Sequence, residues 1–220
     1  MISTRRRAAS FILALLVAGC ATTGPPPGAE EADGAMGAYT AQVGKPNRSF
    51  HLLQTGTFSV GGQSSDLYYE LDASGPDMSA VLRVAGRTVE MRLVGGAFFA
   101  HTGSGWQTIP GGMDVARDIL DIFRYVGDPA NLRFIERTNE SGAAVFHFRA
   151  INPVPYQTSE MRSLGLTGSI PELDFFVRAD GVPIRLVFRS TAKQGNTTIE
   201  ARSTVEFSRW GEAITITAPR

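Results

Sequence analysis

Apolar and polar side chains alternate along most of the chain from Phe50 onward. Successive side chains of a β-strand point to opposite faces, so this period of two predicts strands with one dry and one wet face. Glycine-containing breaks such as Asp180-Gly181 supply the positive φ angles that tight turns need. The pattern therefore predicts an antiparallel meander of about ten strands, the last of which contains Ile214 and Ile216.

Three segments depart from this period and are predicted to be helical. From Asp114 to Val126 the apolar residues recur on one helical face, with Asp114 placed to cap the first turn. Weaker helices are predicted for Ala29–Gly44 and for Tyr156–Leu166. The helix at Asp114–Val126 must bury its apolar stripe, and the dry, concave face of a curved sheet is the surface available. The predicted fold class is α+β, mostly β.

The first twenty residues have the three parts of an export signal. Arg5, Arg6 and Arg7 are followed by an apolar stretch at residues 8–18, which is too short to span a bilayer as a helix. Residues 17–20, Val-Ala-Gly-Cys, resemble the bacterial lipobox, and the single cysteine of the chain lies at the acylated position. An ordinary secretory signal with a coincidental cysteine is the alternative.

The lipobox predicts a three-part organisation. Residues 1–19 form a lipoprotein signal peptide, residues 20–46 comprise the lipidated Cys20 and a Pro/Gly-rich linker, and residues 47–220 form one domain. Acyl chains such as palmitate would anchor the protein to a cell membrane, because more than one chain is needed for stable attachment. The predicted location is extracytoplasmic, with inner or outer membrane left open, and the protein is expected to be monomeric.

The charge balance and the motifs of the sequence argue against several classes of function. Residues 1–19 contain three arginines and no acidic residue, so their removal shifts the balance of 21 basic and 21 acidic side chains to a net charge of −3. Dispersed, weakly acidic charge does not favour nucleic-acid binding. No Gly-x-Ser-x-Gly elbow occurs, and His51, His101 and His147 lie on different predicted strands, where surface positions are favoured over a metal trio. No catalytic residue, metal site or cofactor is predicted.

Several motifs resemble those of the LolA-like bacterial envelope lipoproteins, nearest to LppX and LprG. They are the opening strand with Phe50, Gly56 and Phe58, the segment 94–99 followed by Trp106, and the segments 176–185 and 205–211. This resemblance implies a curved antiparallel half-barrel whose concave face is covered by helices. It also implies an apolar cavity that holds the acyl chains of a lipid or glycolipid. The short N-terminal helix and the Gly-rich segment 95–112 depart from the family pattern.

Function is predicted from this resemblance together with the dry faces of the strands. The protein would bind a lipid for transfer or presentation within the cell envelope without catalysis, and an envelope transporter is left open as a partner. The alternative is a lipoprotein with a solid core that acts as an assembly or interaction subunit. The predicted cavity-lining residues are Phe50, Leu52, Phe58, Leu67, Tyr69, Leu71, Leu82, Val84, Met91, Phe98, Ile119, Ile122, Phe123, Phe175, Val177, Leu186 and Phe188.

Replacement of the acylated cysteine tests the anchor. We expect Cys20→Ala to move the protein from the membrane fraction to the soluble fraction and to abolish incorporation of labelled palmitate, because the thiol that carries the acyl chains is gone. The neighbouring variant Ala21→Ser should stay in the membrane fraction. A Cys20→Ala protein that remains membrane-bound would contradict the lipobox prediction.

Overall fold

The protein is described by a computed structural model, which covers residues 27–45, 47–101, 103–110, 123, 126, 128–156 and 167–220, the side chains of Tyr156 and Gln194 excepted. The predicted helix at 114–126 lies outside the described residues apart from Phe123 and Val126, both of which are buried. The predicted helix at 156–166 lies outside them from residue 157 onward.

One large antiparallel sheet dominates the described chain. Its twelve strands follow the order β6-β5-β4-β3-β2-β1-β12-β11-β10-β8-β7, with β9 paired to β10. The strands are β1 Ser49–Val60, β2 Gln63–Ser74, β3 Asp77–Val84, β4 Arg87–Val94, β5 Ala97–His101, β6 Trp106–Thr108, β7 Leu132–Glu140, β8 Ala143–Ala150, β9 Val154–Tyr156, β10 Thr167–Arg178, β11 Pro183–Gln194 and β12 Thr197–Ser208. A short 3-10 helix, Pro129–Asn131, precedes β7.

The predicted fold class is confirmed, because the sheet is a curved half-barrel that does not close. The strand number is higher than the predicted ten, since β6 and β9 have only three residues each. The final predicted strand is absent. Residues 213–220 have no regular structure, and the tail is instead held to β4 by Arg92, whose Nη1 donates to the Thr217 carbonyl at 3.0 Å.

A single helix among the described residues, α1 (Ala29–Val43), packs on the inner face of the sheet. Its buried stripe recurs at the helical spacing of three and four, and Tyr39 brings its ring to 4.7 Å from that of Phe175 on β10. The helix prediction for this segment is confirmed, but its assignment to the linker is corrected. The stripe is buried in the core, so the packed domain extends back at least to Ala29; the stripe consists of Ala32, Ala35, Met36 and Tyr39.

Aromatic rings fill one end of the inner face. The ring centroid of Phe50 on β1 lies 5.3 Å from that of Phe123. The Phe123 centroid in turn lies 5.3 Å from that of Phe207 on β12. Trp210 stacks on Phe50 at 5.6 Å. We call Tyr39, Phe50, Phe123, Phe175, Phe207 and Trp210 the aromatic cluster. Aromatic rings at these distances make edge-to-face and stacked contacts, which stabilise the packing beyond the burial of apolar area. The cluster therefore fills the space between α1 and the sheet.

Two glycines allow close backbone approaches. At Gly56 on β1, a Cβ would lie 2.0 Å from the carbonyl oxygen of Arg202 on the paired strand β12, so no side chain fits where the two backbones approach so closely. Gly181 has a φ of +82°, and a Cβ there would lie 2.3 Å from the carbonyl carbon of Ala38. The β10–β11 turn therefore rests directly on the backbone of α1.

Alanine substitutions at two glycines should change the free energy of unfolding in opposite directions. Gly56→Ala should destabilise the protein by about 3 kcal/mol, because the added carbon meets backbone that cannot move without breaking the β1–β12 ladder. Gly37→Ala on the exposed side of α1, with no atom within 4 Å of the new carbon, should stabilise it by about 0.5–1 kcal/mol. Denaturant unfolding of both variants measures this difference, and equal stability would contradict the close approach at Gly56.

Candidate ligand-binding face

The strand residues predicted to line a cavity all lie on the inner face of the sheet. Backbone pairing aligns them across neighbouring strands: Leu52 lies opposite Leu71, and Tyr69 lies opposite Leu82. Phe175 lies opposite Leu186 on the other side of the sheet. The period of two in the sequence therefore identified the inward side chains. Ile119 and Ile122 lie outside the described residues, as does Cys20.

These residues divide into two groups that differ in burial. The first group is covered by the protein's own atoms at the end occupied by the aromatic cluster, where Leu52, Phe175 and Leu186 have no more than 1% of their surface exposed. Such side chains belong to the filled core and offer no free surface. This group consists of Phe50, Leu52, Leu71, Met91, Phe98, Phe123, Phe175, Val177 and Leu186.

The second group lies at the opposite end of the inner face and keeps part of its surface exposed. We call this region the open half; its apolar members are Phe58, Leu67, Tyr69, Leu82, Val84, Val89 and Phe188. Val89 is the one residue of this set that the sequence prediction omitted. Partly exposed apolar side chains arranged contiguously on a concave face mark a surface suited to an apolar ligand.

The floor of the open half is made of small residues. Across the sheet, Leu67 lies opposite Gly56, Gly56 lies opposite Ser203, and Ser203 lies opposite Phe188. Neighbouring strands are about 4.8 Å apart, so Leu67 and Phe188 stand about 14 Å from each other with only small side chains between them. Ala201, next to Ser203 on the same face, continues this floor. The result is a trough with apolar walls.

A polar pair interrupts the apolar surface where the open half meets the filled end. Gln54 Nε2 donates to Ser203 Oγ at 2.9 Å. Both residues stand at positions where the alternation calls for an apolar side chain, Gln54 between Leu52 and Gly56 and Ser203 between Ala201 and Val205. Neither residue is among the predicted cavity-lining residues, although this break in the alternation is visible in the sequence.

The outer face carries a charged network centred on the buried His147. Its Nε2 lies 2.7 Å from Asp174 Oδ1 and its Nδ1 lies 3.4 Å from Glu136 Oε1, while its ring stacks on Phe176 at 4.4 Å. Burial acts to raise the pKa of Asp174, but hydrogen bonds from Arg149 and His147 outweigh it and lower the pKa below its ordinary value. His147 is thus more buried than the surface position that the sequence predicted.

The three histidines occupy separate places on the sheet. Among the described residues no three His, Cys, Asp or Glu side chains come together in a group that could hold a metal ion. His51 pairs with Asp72 at 3.1 Å on β1 and β2, and His101 packs on Trp106 at the far edge of the sheet. The three histidines therefore lie apart from one another.

A search of the helices in the described ranges finds none with the length and hydropathy of a membrane span.

Comparison with known proteins identifies the fold. No family model and no curated protein matches the sequence. The solved structure of LprF from Mycobacterium bovis is similar at 14% identity and a TM-score of 0.54, over 87% of this chain and 97% of LprF. The lipoprotein LppX from Mycobacterium tuberculosis matches at 14% identity and a TM-score of 0.43, over 88% of this chain and 100% of LppX. The chain therefore has the fold of LprF, and the predicted resemblance is confirmed at the level of the fold.

Removal of the Asp174 carboxylate should make stability less dependent on pH. The lowered pKa means that Asp174 stabilises the fold above its unfolded pKa of about 4 and loses this contribution as pH falls through its folded pKa. We expect Asp174→Asn to cost about 1 kcal/mol at pH 7, and we expect this cost to shrink as pH falls below about 4 towards pH 2. Denaturant unfolding across this range measures the effect.

Glu172→Gln is the matched control for this measurement. Glu172 lies two residues away on the same strand, and its side chain is 70% exposed. Loss of this surface carboxylate should change stability by less than about 0.5 kcal/mol at either pH. An Asp174→Asn penalty that stays constant down to pH 2 would contradict the role assigned to the Asp174 carboxylate.

Proposed function

We propose that the protein is a membrane-anchored envelope lipoprotein that binds an acyl chain of a lipid or glycolipid along the open half, and transfers or presents it within the cell envelope. The observation that carries this proposal is the contrast between the two ends of one apolar face. One end is filled by the aromatic cluster, and the other keeps partly exposed apolar walls above a floor of small residues. Contiguous, partly exposed apolar side chains on a concave face favour a ligand-binding surface over a face that serves only as core.

The mechanism of binding is desolvation. Apolar surface withdrawn from water contributes about 25 cal/mol per Å², or about 0.8 kcal/mol for each methylene group. A chain that lies between Leu67 and Phe188 would bury its own methylenes together with those walls. No catalytic group is required, because binding and release of a lipid break no covalent bond.

Anchoring through Cys20 would keep this site close to its source of lipid. Eight residues lie between Cys20 and the start of α1, so a fully extended chain reaches at most about 30 Å from Cys20 to Ala29. The start of α1 would therefore stay within about 30 Å of the membrane surface, on the extracytoplasmic side. This distance is comparable to the thickness of the hydrocarbon core itself.

A second function, that of an interaction subunit with a solid core, is favoured by the filled end of the inner face. The rings of the aromatic cluster fill one end of the inner face, so that end has no room for a ligand. The two functions differ in one respect that can be measured. A lipid-binding protein takes up an acyl probe in the open half, whereas an interaction subunit does not.

Photocrosslinking with a diazirine-bearing fatty acid, applied to the full chain in its membrane, tests the proposal. Labelled peptides should map to β1, β2, β11 and β12. Ala201→Trp, which places a large ring on the floor of the trough, should lower labelling about tenfold, because each methylene kept from burial removes about 0.8 kcal/mol of binding free energy.

Thr55→Trp on the exposed outer face of β1 is the control for bulk and should leave labelling unchanged. Thermal unfolding of both variants shows whether each keeps its fold. Absence of labelling in the unmodified protein, or labelling that Ala201→Trp does not lower, would favour the interaction subunit.

A further inference from the structure

The Gln54–Ser203 pair is a polar site set in an apolar surface. On the inner face Gln54 lies opposite Tyr69 and Val205, and Ser203 lies opposite Phe188. Ser203 is one of only two polar or charged residues that are buried in the described chain. Transfer of polar groups out of water is unfavourable unless their hydrogen bonds are satisfied. Two polar side chains in this apolar surface therefore need partners for their hydrogen-bonding groups.

Counting donors and acceptors shows what the pair leaves unused. Gln54 Nε2 donates to Ser203 Oγ, so the second Nε2 hydrogen, the Gln54 Oε1 acceptor and the Ser203 hydroxyl proton remain, and neither side chain makes another side-chain hydrogen bond to a described residue. If the amide is turned over, Ser203 donates to Gln54 Oε1, and donors and acceptors again remain. In both orientations the pair therefore keeps at least one unused donor and one unused acceptor.

The surroundings of the pair define the charge of such a group. Among the described residues, its neighbours along and across the inner face are all uncharged: Leu52, Gly56, Leu67, Tyr69, Leu186, Phe188, Ala201 and Val205. A phosphate or an ionised carboxylate placed there would lose its hydration without gaining a cation. Burial also favours the neutral form of a carboxyl group. The site therefore fits a neutral polar group.

We propose that Gln54 and Ser203 recognise a neutral group that donates one hydrogen bond and accepts another, a hydroxyl or a protonated carboxyl, on the acyl ligand of the open half. This inference rests on the proposed function. The pair lies at the boundary with the filled end, where Leu52 and Val205 are fully buried. A polar group held there fixes the position of the ligand along the trough, so the pair sets specificity while the apolar walls supply affinity.

Competition experiments on the full chain in lipid nanodiscs test this inference. A C16 fatty acid, the primary alcohol of equal length and the methyl ester of the acid each displace a diazirine-bearing acyl probe. The ester accepts hydrogen bonds but donates none, so it leaves the acceptor of the pair unsatisfied. We expect the acid and the alcohol to compete about fivefold better than the ester, the effect of one hydrogen bond.

Gln54→Met keeps the length of the side chain and removes its polar atoms, so it should bring the ratio of alcohol to ester competition close to one while the ester still competes. Comparing this ratio between proteins cancels the different partitioning of the three compounds into the bilayer. Thr55→Val, on the outer face of the same strand, should leave the ratio unchanged and is the matched control.

The outcomes separate this inference from the proposed function. If the probe labels the protein but the alcohol and the ester compete equally, or if Gln54→Met keeps the discrimination, the recognition role of the pair is wrong and the lipid-binding proposal stands. If no acyl compound competes in the unmodified protein, the lipid-binding proposal fails and the inference fails with it. A Gln54→Met protein that binds the ester normally has kept its fold.

Discussion

The packing of the aromatic cluster against α1 is the interaction on which the rest of the structure depends. A sheet of twelve strands that does not close leaves one long apolar face to be covered. Tyr39 from the helix, Phe123 from the chain between β6 and β7, and Phe207 from the sheet meet at one end of that face. Because these rings fill only that end, the same packing that stabilises the fold also defines where the open half begins.

The two faces of the sheet use different physical chemistry. The outer face carries ion pairs and stacked rings, such as Asp174 with Arg149 and His147 with Phe176. The open half of the inner face is mainly apolar, and its polar groups include the Tyr69 hydroxyl and the neutral pair of Gln54 and Ser203. The described residues that flank this pair are uncharged, so a ligand there would be selected by its apolar length and by one neutral polar group.

Sequence patterns predicted the fold class and the inward residues because both follow from a period of two. Leu67, Leu82 and Phe188 were assigned correctly to one face for that reason. The alternation of Ile214 and Ile216 was misleading, since a strand also needs a neighbour with free backbone groups and the tail finds none. The helix α1 was predicted, yet its place in the core was not, because composition does not show which surface a helix will meet.

The sequence by itself determined which side chains face inward, where the turns fall and where an acylated cysteine is expected, because each of these follows from local spacing or a short motif. Only the tertiary structure decided which inward side chains are core and which keep free surface. Phe50 and Phe58 have the same parity and the same chemistry, yet Phe50 is buried and Phe58 is partly exposed. Burial depends on which distant elements pack above a residue, and no local pattern contains that information.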